Sequence, residues 1–372
     1  MRKAWPYLAI GVLTTVFCLS VVEGADRRKT YSPEARVMLS PSGALVTVEK
    51  RKVLFFDKDG KVVASRKLRS NELVSLPDGG SVVGLTRYND HSPSTLKPVT
   101  FELFDLAGNR RYRIKKPGFS SVVVSPTGKA IVGLDGAEGL PKSVLRFCDE
   151  GGQEVVAITV EYYQGGRFSA DGSVFVFSTA QEGILAYSSA GEVLAGYGPG
   201  SIYDLSADGG VFAVGHNGAL RVYSGGKRVS TLETGEAVRE VTVGAEGKYV
   251  GWAGPDRAAL YAVGTDTALC EIRLTAPGEN FRSLAISEDG VHFAVGIDID
   301  GGRALPPEKR HTRGRVVVYD LGGQVIAQKE VSYDTWNART PAVSFTHEGR
   351  VLSVITPEEA YFMELPGQRP AE

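Results

Sequence analysis

The sequence predicts an all-β chain built from eight four-stranded antiparallel units, and three observations predict it. A tight-turn signature recurs eight times, at Ser40-Pro-Ser-Gly43, Leu76-Pro-Asp-Gly79, Ser125-Pro-Thr-Gly128, Ser169-Ala-Asp-Gly172, Ser206-Ala-Asp-Gly209, Gly244-Ala-Glu-Gly247, Ser287-Glu-Asp-Gly290 and Thr346-His-Glu-Gly349. Short apolar runs flank these turns, as in Phe168-Ser-Ala-Asp-Gly-Ser-Val-Phe-Val-Phe177. The 372 residues hold 45 glycines and three methionines, which suits many short strands and turns better than helices.

Met1 to Val22 differs from everything after it. Arg2 and Lys3 precede an uncharged run from Ala4 to Val22, followed by Glu23-Gly24-Ala25. That order reads as an export signal removed after Gly24, with Val22 satisfying the small-residue requirement three positions before the cut. The alternative is an uncleaved anchor, because the run is just long enough to span a bilayer. Val16-Phe17 before Cys18 places a bulky ring where a lipoprotein signal wants a small residue. Only Cys148 and Cys270 then remain, in the third and sixth repeats, and they read as small buried side chains rather than a disulfide.

From residue 25 to 372 the chain reads as a single domain with repeats over roughly residues 35–365. In each turn Ser and Asp bond nearby backbone, and Gly takes the positive φ that closes it. Each turn joins strands a and b. Strand c follows and ends in an aromatic, a small or polar residue and a Gly turn. Phe56-Asp57 with Gly60, Phe104-Asp105 with Gly108, Phe147 to Gly151, Tyr187 to Gly191, Tyr223 to Gly225 and Tyr319-Asp320 with Gly322 show this, and Tyr261 with Gly264 is a looser copy. Strand d is one more alternating run, such as Lys61 to Lys67, Glu192 to Gly196, Lys227 to Leu232 or Gln324 to Val331.

The first turn's glycine recurs after 36, 49, 44, 37, 38, 43 and 59 residues. Units of this length cannot bury both faces alone, so they must stack. A ring of four-stranded blades, a β-propeller, does so with only short protected edges. Eight copies of strands a to c are legible, the last at Val343 to Phe345, Val351 to Thr356 and Ala360 to Leu365. Only seven copies of strand d follow. The mature N-terminus near Arg28 to Ser32 is expected to supply the eighth and close the ring as a monomer, with seven blades as the alternative.

The Ser-Pro-Asp-Gly-type turns, with Phe-Asp and Tyr-Asp at 56–57, 104–105 and 319–320 where Trp-Asp often stands, resemble the WD-repeat-like β-propeller family in its bacterial form. The Gly-His pair of the eukaryotic repeats is missing before strand a, and Gly215-His216 follows strand b instead. The resemblance therefore implies the fold and carries over no functional residue.

Antiparallel order sends the a–b and c–d turns to one face of the disc and the b–c and d–a loops to the other. The first set is short throughout. The spare length sits in the second, at Tyr88 to Pro98, Asp135 to Lys142, Asp298 to Arg313 and Ser332 to Thr340. Loops on a rigid scaffold are where function concentrates. The longest holds Arg303, Lys309, Arg310, His311 and Arg313, with Tyr333 and Trp336 beside it in the ring, and Tyr88 and His91 are expected at the same mouth. Arginine with aromatic rings is the composition of a partner anchor.

Other chemistries leave thinner traces. The 42 basic and 43 acidic residues nearly cancel, so no global field favours nucleic acid. Membrane contact is expected only if residues 4–22 are retained. Asp298-Ile-Asp-Gly-Gly302 lacks the further ligands and closing Glu of a calcium loop, and no two histidines stand at zinc-ligand spacing. No metal site and no cofactor are expected. Gly-x-Ser-x-Gly and phosphate-loop motifs are absent. The reading is a non-enzymatic scaffold, periplasmic or extracellular, that engages a protein or peptide through its long-loop face. A propeller hydrolase or lyase with carboxylates or a metal at the channel mouth is the alternative.

Overall fold

A computed structural model describes residues 27–365 except 31–35, 40–43, 50, 58–60, 78–79, 89–97, 116–118, 137–139, 201, 300–311, 334–340, 347–350 and 357–358. Its strands form eight four-stranded antiparallel sheets, with no helix among the described residues. Seven blades are contiguous, over residues 36–67, 72–115, 121–160, 163–198, 202–233, 240–273 and 279–333. The eighth combines residues 342–364 with β1 (Arg27–Thr30). Strand β1 pairs antiparallel with the last strand, Glu359–Glu364, matching Arg27 to Phe362 and Thr30 to Glu359. The eighth strand d thus comes from the N-terminal end, as its absence at the C-terminal end predicts.

The repeated turn owes its shape to its own side chains. In the fourth blade the Ser169 Oγ accepts the Val174 N–H at 3.0 Å and donates to Asp171 Oδ1 at 2.6 Å, and that same oxygen accepts the Ser173 N–H at 2.9 Å. Ser206 with Asp208 and Ser287 with Asp289 repeat the Ser-to-Asp bond at 2.6 Å. Gly209 closes its turn at φ +70°, and a Cβ there would sit 2.5 Å from Val174 Cγ2 of the preceding blade. Glycine is required by conformation and by the neighbour together. Backbone bonds continue the ring from turn to turn, Asp171 N to Ala207 O and Ala207 N to Ala245 O, both at 2.9 Å. The Asp one or two residues after the aromatic of strand c has a local task. Asp57, Asp105, Asp149 and Asp320 each accept the N–H four residues on, across the c–d turn, at 2.8–2.9 Å.

The apolar core lies between blades rather than inside any one of them. Among the described residues, eight buried clusters occupy the eight blade-to-blade seams. The seam between the third and fourth blades is aromatic, with Phe147, Phe175 and Phe177 fully buried and the Phe147 and Phe175 rings edge-on at 5.8 Å. Trp252 is fully buried between the fifth and sixth blades. Leu45 and Phe56 of the first blade meet Phe362 of the last, which completes the circle. Each fully buried ring contributes about 1.5–3 kcal/mol. The inner strands are tied by polar groups too: Asp204 accepts from Arg167 of the blade before and, through Oδ2, from the Val243 N–H of the blade after at 2.8 Å. Cys148 and Cys270 are buried free thiols, and burial pushes the Cys148 thiol up to about 11.

Candidate functional site on the long-loop face

The strand order puts the strand ends that flank residues 89–97, 136–142, 300–311 and 334–341 at one end of the blades, and the strand ends joined by the a–b and c–d turns at the other. The rim beneath the longest connection differs from expectation. In the seventh blade, strand b (His292–Ile299) runs through Asp298, and strand c (Thr312–Asp320) begins ahead of Arg313. Their register pairs Asp298 with Gly314 and Ile299 with Arg313, so the connection is shorter than Asp298 to Arg313. Burial without a break from Phe293 to Asp298 explains this, since the strand stays covered on both faces up to its first charged residue. Asp298 is only 2 % exposed, and its Oδ2 accepts from Arg282 at 2.7 Å and 3.1 Å. Glu279 takes Arg315 at 2.8 Å. These carboxylates are committed to arginines of their own blade.

Of the residues singled out by sequence, Arg313 is exposed on strand c, opposite Ser332 of strand d. Tyr333 ends strand d (Val325–Tyr333) and pairs with Thr312, which puts both residues on one hairpin at the rim. Tyr88 is 5 % exposed, and its hydroxyl donates to the Ser120 carbonyl of the next blade at 2.8 Å. Burial raises its pKa. Its side chain ties the second blade to the third. Arg303, Lys309, Arg310, His311, Trp336 and His91 lie outside the described residues.

Two polar groups on this face escaped the sequence reading. Between the fifth and sixth blades, burial and then the charge of Asp256 raise the pKa of Glu236, and beside them Glu271 binds both Arg257 and Arg273 at 2.8 Å. Between the first and second blades, Glu102 accepts from Arg66 at 2.9 Å and Arg110 at 3.1 Å, with Arg113 at 3.6 Å. Burial pushes the Glu102 carboxyl up, but the arginine hydrogen bonds and charges outweigh it and hold the pKa below the usual value. The partners in each group come from different strands or blades, so chain spacing conceals them. Period-2 alternation could have put Thr100 with Glu102 and Arg113 with Lys115 on one face of the second blade. Only the ring brings Arg66 across from the first.

No protein-family profile matches the chain, and no curated protein matches it in sequence. Solved structures do. The C-terminal WD40 domain of Sif2 is similar with a TM-score of 0.58 at 15 % identity, over 92 % of this chain and 97 % of that one. BamB from Moraxella catarrhalis follows with a TM-score of 0.57 at 14 % identity, over 92 % and 98 %. The dihydro-heme d1 dehydrogenase NirN, solved in complex with DHE, is similar with a TM-score of 0.51 at 17 % identity, over 80 % and 67 %. What these neighbours share with the chain at such identities is the fold, that of a WD40-like β-propeller.

Proposed function

We propose that this chain is an exported binding scaffold that engages a protein or peptide partner through the long-loop face of the propeller. The observation that carries the reading is the one-sided distribution of spare length: the strand ends that flank residues 89–97, 136–142, 300–311 and 334–341 all lie at the same end of the blades. A rigid ring with its spare chain length on one face is built for recognition. The fold alone does not choose, because it is shared with a WD40 domain and with a dehydrogenase. The chemistry of the rim favours binding over hydrolysis, since Asp298 and Glu279 are neutralised by Arg282 and Arg315. Arg303, Lys309, Arg310, His311, Arg313, Tyr333 and Trp336 supply the anchors, with His91 at the neighbouring mouth, whereas Tyr88 is held between blades.

Export to the periplasm or cell exterior belongs to the same reading. The first strand starts at Arg27, two residues after the expected mature start at Ala25, so cleavage would leave the clasp intact. N-terminal sequencing of the protein expressed with its own leader checks this, and intact Met1 in a membrane fraction would contradict it. The binding reading is tested by replacing residues 300–311 with a tight turn and comparing affinity capture from envelope extract. The variant keeps the wild-type melt and loses the captured partner. Equal capture by a folded variant would refute it.

A further inference from the structure

The seam between the first and second blades opens at the long-loop end into a cavity of about 330 Å³. Its walls come from the end of strand d in the first blade, the connection that follows, and all four strands of the second blade. Every lining side chain is polar. Arg66, Lys67, Arg69, Arg87 and Arg113 bring five positive charges, while Glu72 and Glu102 bring two negative ones. Both carboxylates are already engaged: Arg66 lies 2.9 Å from Glu102 and 3.5 Å from Glu72. Among the described residues no carboxylate lies within ion-pair distance of Lys67, Arg69 or Arg87.

Such an excess on a convex surface would be a solvated face. Here it converges in a concavity, where like charges repel and the walls focus the field. The geometry is also held in advance. Glu102 fixes Arg66 and Arg110, and the Arg66 guanidinium lies over the Phe104 ring at 4.7 Å. A pre-set guanidinium loses little freedom when it binds an anion, and its planar fork matches two oxygens at once. Nothing apolar lines the cavity to hold a hydrophobic body, so a compact, highly charged group suits it.

We propose that this cavity binds a multiply charged oxyanion of the phosphate class, as a free anion or as a phosphate monoester. The site stands apart from the partner-binding reading, because it lies in the seam between the first two blades and its ligand is a small anion. Phosphate offers several oxygens to several arginines and carries the two or more negative charges that the excess of cations calls for.

The test uses the full mature chain and isothermal titration with inorganic pyrophosphate in one arm and glycerol 3-phosphate in the other, at matched ionic strength. Saturable one-to-one binding in either arm is expected, and the tighter arm shows whether the free anion or the ester is preferred. The variant Arg87→Gln with Lys67→Gln spares the Arg66–Glu102 pair and should melt as the wild type does. Its affinity should fall at least about tenfold. Absence of saturable binding in both arms, or equal binding by the folded variant, would overturn the assignment. A titration heat that sodium chloride reproduces at matched ionic strength would overturn it as well, since that is screening rather than a site.

Discussion

Closure by β1 can be tested one residue at a time. In an antiparallel pair, successive residues turn their N–H groups alternately toward the partner and away from it. Strand β1 is the outermost strand of its sheet, so one of Arg28 and Lys29 donates to the strand Glu359–Glu364 and the other faces solvent. Proline removes the donor and places its ring against the partner strand only at the inward position. A lost ladder bond costs about 0.5–1.5 kcal/mol and leaves a carbonyl unpaired, so the inward substitution should cost about 1–3 kcal/mol and the outward one close to nothing. With an unfolding entropy of about 2.1 cal/mol/K per residue, a propeller of this length loses roughly 1.4 °C per kcal/mol, so the inward variant should melt about 1–4 °C lower. Denaturant titration of Arg28→Pro and Lys29→Pro reads the difference directly. Equal stability of both variants and the wild type would refute closure by this strand. An equal loss in both would refute the alternating register.

Gly209→Ala should destabilise more than Gly264→Ala. Both glycines have positive φ, costing about 1–2 kcal/mol for a Cβ, but only Gly209 faces a neighbouring blade at 2.5 Å while Gly264 has nothing within 4 Å; equal losses in denaturant titration would contradict the turn-on-blade packing. Glu102→Gln should cost about 1–2 kcal/mol at pH 7 by freeing Arg66 from its partner across the seam. Because the folded-state pKa of Glu102 is lowered, its contribution is present above the ordinary Glu value near about 4.3 and is lost as pH falls through the folded value. The gap between wild type and variant should therefore narrow in acid, and a gap that stays constant to about pH 3 would contradict the charge argument.

The ring was legible in the sequence because its determinants are local and repeated. Ser169 and Asp171 shape their own turn, and a missing eighth strand d could be counted and then sought near Arg28. Local pattern also misled where it ended. The burial of strand b in the seventh blade continues through Asp298, which looked like the start of a loop, and a partner of Asp298 is Arg282, sixteen residues back on strand a. Tyr88 read as a mouth residue from its place before a long connection, yet its contact is Ser120 in the next blade. The cavity around Glu102 was beyond reach for the same reason. Arg66 and Glu102 are 36 residues apart, and no spacing rule predicts which faces of two blades meet. Strand order could be read from one repeat at a time, but seam chemistry could not.

The most direct measurement on the binding reading is hydrogen exchange of the mature chain, free and with its captured partner bound. Slowed exchange is expected in 89–97, 136–142, 300–311 and 334–341, with the a–b and c–d turns unchanged. Protection confined to the a–b and c–d turns, with the long connections exchanging as in the free protein, would contradict it and place the partner on the opposite face.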